Sequence, residues 1–293
     1  MVRSKKSTVQ IGAVRKWKLG SLDISEKDTW SNLGKIWDIN KHPSAAVLSA
    51  VGRGREACFF LMSLGSLYGG LNPIIACCLW KRIGIPKFLY GFELWKLRKK
   101  RSYLVGTGSN YLYSYYAGPP PWHICSVARV LLGMLSIEAD IDRRKLYFLG
   151  RLINISAGVL CRRVLFIRLA RWKWNHRNSM TGFVPEIVSV LTKYDLLDYL
   201  MEFVSTNCFP TKKNWKKIVN RREYEKHNCV WQEKINRNKQ LYVYSQVNTN
   251  NKISEWWLLA KEYPKNRLEI TNVIRLLCGS YKIMGKRVCN PVV

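Results

Sequence analysis

Acidic residues are scarce in this 293-residue chain: 19 Asp and Glu stand against 49 Lys and Arg, which leaves a formal charge of +30. No two aspartates are adjacent, so the paired carboxylates that a nucleotidyl-transfer centre needs to hold two metal ions are missing. Three acids fall close together once, at Glu138, Asp140 and Asp142. Ser136 precedes them as a cap, so they are expected to form the acidic first turn of a helix, where the dipole favours negative charge. Histidines number four, and His123, His176, His227 and His42 lie in no nucleophile or metal pattern. The nine cysteines lack the regular spacing of a disulfide framework, and no apolar segment follows the basic residues at Met1 to Lys6. Free thiols in a reducing, intracellular setting, nuclear or cytoplasmic, are therefore expected. None of the glycines stands in a Walker-type phosphate loop, so neither a nucleotide cofactor nor any other is expected.

One long uncharged run exists, the 24 residues from Ala57 to Trp80. It is long enough on paper for a bilayer core, which needs roughly 20 apolar residues. Inside it, however, Gly69-Gly70-Leu71-Asn72-Pro73 supplies a helix-ending Gly, a capping Asn and a Pro suited to a first helical position. Two core helices joined by a turn are expected there, and no membrane partner; a membrane-associated protein built on 57-80 is an alternative reading.

What the chain has in quantity is basic charge, 12 Trp and 15 Tyr, with 47% hydrophobic residues to build a core. Clustered cations call for a polyanion, and nucleic acid is the expected partner: RNA, DNA or a heteroduplex, met without sequence preference, with no small-molecule ligand expected. The sequence divides into five stretches. Over 1-42, short apolar runs such as Trp17-Lys18-Leu19 and Leu22-Asp23-Ile24 alternate with Gly and Asp and read as a small β element. Over 43-95 the spacing predicts a long helix from about Pro43 to Leu64, with further helices after it. The stretch 96-128 opens with five cations in six positions, Lys96 to Arg101, and then runs to Ala128 without charge but with Pro119-Pro120-Pro121, so an irregular connection is expected. Over 129-205 the pattern is helical again. Ile187, Val190, Leu191 and Tyr194 form one stripe, Leu196, Leu200, Phe203 and Val204 another. The stretch 206-293 reads as basic C-terminal helices, with Thr211 as a cap and Trp215, Ile218 and Val219 facing inward. The fold class is thus mainly α-helical (α+β).

Candidate phosphate contacts are the helical cations Arg143, Arg144, Arg151, Arg162, Arg163, Arg168 and Arg171, with Lys212, Lys213, Lys216 and Lys217 on the outer face of the helix after Thr211. Arg143, Arg144 and Arg151 are expected to face solvent. The solvated face of an ordinary helix is the plain alternative for each group. No metal site is expected. His227-Asn228-Cys229 and His123-Ile124-Cys125 offer two ligands apiece where zinc takes four.

An ordered series of short motifs carries a resemblance. Trp17-Lys18-Leu19-Gly20 and Leu33-Gly34 are followed by Gly52-Arg53-Gly54-Arg55-Glu56-Ala57, Gly70-Leu71-Asn72-Pro73 and Leu89-Tyr90-Gly91-Phe92-Glu93-Leu94-Trp95. Further on come Leu132 to Ala139, Arg144 to Leu152, Thr181-Gly182-Phe183-Val184-Pro185, Tyr194-Asp195-Leu196-Leu197 and Phe209-Pro210. In order and spacing these resemble the region downstream of the catalytic hairpin in non-LTR retrotransposon reverse transcriptases. The resemblance implies a palm-edge β remnant, thumb-like helices, a helical linker, and at Lys6 the remnant of a lysine near the incoming nucleotide's phosphates. It also implies a truncated fragment that is not an enzyme, because the Asp-Asp hairpin is absent, and that is at most a non-specific nucleic-acid-binding protein. The run from Ser102 to Ala128 departs from the family pattern and reads as a shifted frame or mis-joined exon. A non-functional relic is accordingly the other alternative. The Cys/His knuckle that often closes the family has only Cys278 and Cys289 in its place.

Overall fold

The structure, a computed structural model, describes residues 17–19, 21–24, 29–32, 35–38, 44–66, 71–94, 129–174, 182–237, 246, 254–277, 282–283 and 286–287. Lys6, the cations from Lys96 to Arg101, the run from Ser102 to Ala128, Cys278 and Cys289 lie outside them. The described chain is mainly α-helical. Short antiparallel hairpins pair β1 (Trp17–Leu19) with β2 (Leu22–Ile24), β3 (Thr29–Asn32) with β4 (Lys35–Asp38), and near the C-terminus β5 (Lys282–Ile283) with β6 (Lys286–Arg287).

Helix α1 covers Ser44–Leu61 and ends earlier than its periodicity predicts, in a wider turn over Met62–Ser66 where Gly65 takes φ 89°. A side chain would be strained at that angle. Asn72 then caps α2 (Pro73–Leu79): its side chain accepts from the Ile74 N–H at 2.8 Å, and Pro73 occupies the first turn. The long uncharged run is thus broken between α1 and α2, and no helix among the described residues is long and apolar enough to cross a membrane. After a second widened turn over Trp80–Gly84 comes α3 (Ile85–Leu89), which packs back on α1. Phe92–Leu94 forms a short 3-10 turn against the next long helix.

That helix, α4 (Ile137–Ile153), begins where the sequence places it: Ser136 Oγ accepts from the Ala139 N–H at 3.2 Å. Then follow α5 (Leu160–Trp174), α6 (Phe183–Lys193), α7 (Leu197–Thr206) and α8 (Lys212–Arg237), with α9 (Glu255–Glu262) and α10 (Arg267–Leu277) after them. Asn207, left-handed at φ 58°, ends α7, as Asn can do at little cost.

Two hydrophobic clusters form the interior. The first gathers residues of α1 to α3, the segment 130–134, the start of α4, the end of α8, α9 and α10. The second gathers the rest of α4, α5 to α7 and the start of α8. The clusters cross the sequence boundaries at 128/129 and 205/206, because α4 and α8 run antiparallel and each contributes one half to each cluster. The two helices pack tightly at Gly150, where a Cβ would overlap the Trp215 indole. Trp215 Nε1 donates to the Leu146 carbonyl at 2.8 Å, so the buried ring is also a hydrogen-bonded one.

Candidate nucleic-acid interface

Helix α8 opens with Thr211, whose Oγ1 accepts from the Asn214 N–H at 3.4 Å. Trp215 and Val219 seat its first half on the second cluster, with Ile218 partly buried beside them. At 3.6 residues per turn this sends Lys212, Lys213, Lys216 and Lys217 outward, and all four are exposed. None of the four has an ion-pair partner among the described residues, and no Asp or Glu occurs between Thr211 and Arg222. Lys216 Nζ lies 5.4 Å from the centroid of the Tyr147 ring, while the Tyr147 hydroxyl donates to Asn220 Oδ1. Arg221 extends the face one turn further and meets Glu225 at 3.9 Å, both groups exposed. Such a pair is screened and weak.

The arginines divide differently from the expectation. Arg143 is only partly exposed: its guanidinium bonds Asp140 within α4, and its Nε stands 3.7 Å from Glu223 Oε2 on α8. Arg144 is half-buried near Glu93 and Asp140, and burial lowers its pKa. Arg162 is committed to the chain itself, donating to the Ile155 carbonyl at 2.7 Å and to Asn207 Oδ1 at 3.5 Å. Arg168 is half-buried with its guanidinium beside Gly182. Arg151, Arg163 and Arg171 remain exposed, Arg151 within 5.9 Å of the Phe148 ring. These three sit on different helices or turns and form no row comparable with the α8 lysines.

The acidic trio also separates. Glu138 is exposed in the first turn of α4, whereas Asp140 is buried against Arg143. Asp142 accepts from Lys193 Nζ at 2.6 Å and from the Tyr194 hydroxyl at 3.3 Å. Among the described residues no group of three or more His, Cys, Asp or Glu is placed to hold a metal ion. Burial pushes the Glu223 carboxyl up to about 8 despite Arg143, and lowers His227 to about 4, where Lys193, Arg129, Arg143 and Lys234 add to the effect.

Sequence reasoning missed Glu223 and the buried pair Lys145–Glu186, which joins α4 to α6 at 2.6 Å. A signal for Glu223 existed: Trp215, Val219, Glu223, His227, Trp231 and Ile235 recur every four residues, so Glu223 falls on the inward stripe. Nothing comparable marks Lys145, whose partner is 41 residues away.

The chain matches no protein-family model, no characterised protein and no solved structure.

Proposed function

We propose that this chain binds nucleic acid without sequence preference, through phosphate contacts made by the outer face of α8. The observation that carries the reading is the row Lys212, Lys213, Lys216 and Lys217: exposed, without an ion pair among the described residues, held on an ordered helix and free of intervening acids. Charges already fixed on a helix lose little conformational entropy on binding. The large aromatic side chain within that row, Trp215, is buried, so the face offers charge and few base-stacking surfaces. Binding then comes from counterion release and reads the backbone. A descent from the thumb and linker of a non-LTR reverse transcriptase is part of this proposal, as is the absence of polymerase chemistry in a chain without an Asp-Asp pair.

The test is a titration of a random-sequence duplex and a single strand at several salt concentrations. Four phosphate contacts give a slope of log K against log salt of about −3.6 for duplex. Lys212→Gln, Lys213→Gln, Lys216→Gln and Lys217→Gln together are expected to flatten it by up to about 3.6 units. An unchanged slope would place the contact elsewhere.

A further inference from the structure

The far end of α8 borders a small recess, open to solvent, where the helix passes the turn leading into α4. Arg129, Met134 and Ser136 come from that turn, and His227, Trp231 and Lys234 from α8. We propose that this recess binds a phosphate group, with Arg129 and Lys234 neutralising its charge and the Ser136 hydroxyl donating to one of its oxygens.

Three observations converge on it. Arg129 and Lys234 line the same recess, so two like charges are brought together, an arrangement that a dianion relieves and a neutral ligand does not. Burial is the larger cause of the lowered pKa of both Lys234 and His227, and the cations add to it: Arg129 at Lys234, and Lys193, Arg129, Arg143 and Lys234 at His227. Ser136 Oγ accepts from the Ala139 N–H, which leaves its proton available to an oxyanion. His227 itself is uncharged at neutral pH and its Nε2 lies 3.4 Å from the Tyr194 hydroxyl, so the ring is a wall and a reporter rather than a charge. Glu138, exposed on the first turn of α4, acts on Lys234 in the opposite sense and opposes an incoming anion. Charge-assisted contacts with two cations suit phosphate better than a singly charged carboxylate.

The site is independent of the lysine row. Lys216 and Lys234 are eighteen residues apart on one helix, about 27 Å at 1.5 Å per residue. A phosphate here has two sources, the end of a nucleic-acid strand or a small phosphorylated molecule, and the two are separated by experiment.

Inorganic phosphate and a 5′-mononucleotide are titrated into the full chain while the four histidine ring resonances are followed by NMR, with His227 assigned from His227→Gln. The same oligonucleotide is then compared with a 5′-phosphate and with a 5′-hydroxyl. The expected result is a saturable shift of the His227 resonance. Lys234→Gln weakens binding by about fivefold or more, the usual effect of a charged hydrogen bond reduced for exposure. Glu138→Gln, at an exposed position, tightens it by about two- to threefold. Lys212→Gln with Lys216→Gln leaves the inorganic phosphate titration unchanged even where it weakens the oligonucleotide, so the two sites fail separately. Binding of the small phosphates assigns the site to a small ligand, and a preference for the 5′-phosphorylated strand alone assigns it to a strand end. No saturable His227 shift with any of these ligands overturns the proposal, as does a titration that Glu138→Gln and Lys234→Gln both leave unmoved.

Discussion

Glu223 sits on the inward stripe of α8 with Arg143 on one side and nothing but buried surface around its other oxygen. Its carboxyl, ordinarily 4.5, is held near 8 by desolvation, which Arg143 and Lys193 only partly offset and Asp140 and Asp142 reinforce. The folded chain therefore keeps this proton at a pH where the unfolded chain has lost it. Stability falls as pH climbs from about 4.5 to 8, and is level in this respect above 8. His227 works oppositely, losing stability as pH drops from 6.5 towards 4, so the window from 6.5 to 8 isolates the carboxyl. Buried Asp140 is also raised by desolvation and acts in the same direction as pH rises, so the comparison with Glu223→Gln, not the native slope alone, assigns the effect to Glu223. Urea midpoints should fall between pH 6.5 and 8 in the native chain and fall less in Glu223→Gln; a midpoint that rises through this window would contradict the assignment. Gly150 gives a second test at this scale. A methyl group there collides with an indole that is itself hydrogen-bonded across to α4, so Gly150→Ala is expected to cost about 1–3 kcal/mol, measured by chemical denaturation.

At the level of elements, the turn between α4 and α5 is held by a side chain as well as by its own backbone. Arg162 reaches back seven residues to the Ile155 carbonyl and across to Asn207 after α7. Arg162→Gln should therefore lower stability by about 1–2 kcal/mol while leaving the salt dependence of nucleic-acid binding unchanged. Arg163→Gln, at its exposed neighbour, should leave stability alone. Denaturation and salt titrations of both variants decide this, and equal behaviour of the two would show that Arg162 is a surface charge after all. Much at this scale was legible beforehand. Ile187, Val190, Leu191 and Tyr194 are all buried as their spacing predicts, Ser136 and Asn72 cap, and the C-terminal stretch holds the helices α9 and α10. Local rules account for these, since period and cap chemistry need only neighbours within a turn. The lysine row was legible for the same reason. Which arginines face inward was not: Arg143 and Arg163 look alike in sequence, and only the arrival of α8 beside α4 distinguishes them. Helix ends set by backbone geometry were also hidden, as at Gly65.

Across the whole molecule, the two clusters share α4 and α8, and the network of Asp140, Arg143, Glu223, Tyr147 and Asn220 lies between them along that helix pair. Neither cluster can lose its half of the pair without exposing the other's. One cooperative thermal transition is expected, with near-ultraviolet and far-ultraviolet circular dichroism superimposing; a broad, non-cooperative melt would favour the relic. The order in which a ribosome delivers the chain gives the shared pair another meaning. Members of the second cluster run from Leu146 to Val219, whereas the first joins Val47 to Ile274, positions 227 residues apart. The early helices α1 to α3 thus emerge long before α9 and α10, and their apolar faces wait unprotected while the middle of the chain consolidates. A stalled nascent chain that has exposed residues only as far as about Asn250 should resist a protease across α4 to α8 yet be cut within α1 to α3. In refolding from denaturant, Ile187→Val is then expected to slow the folding arm, and Ile274→Val mainly to speed unfolding.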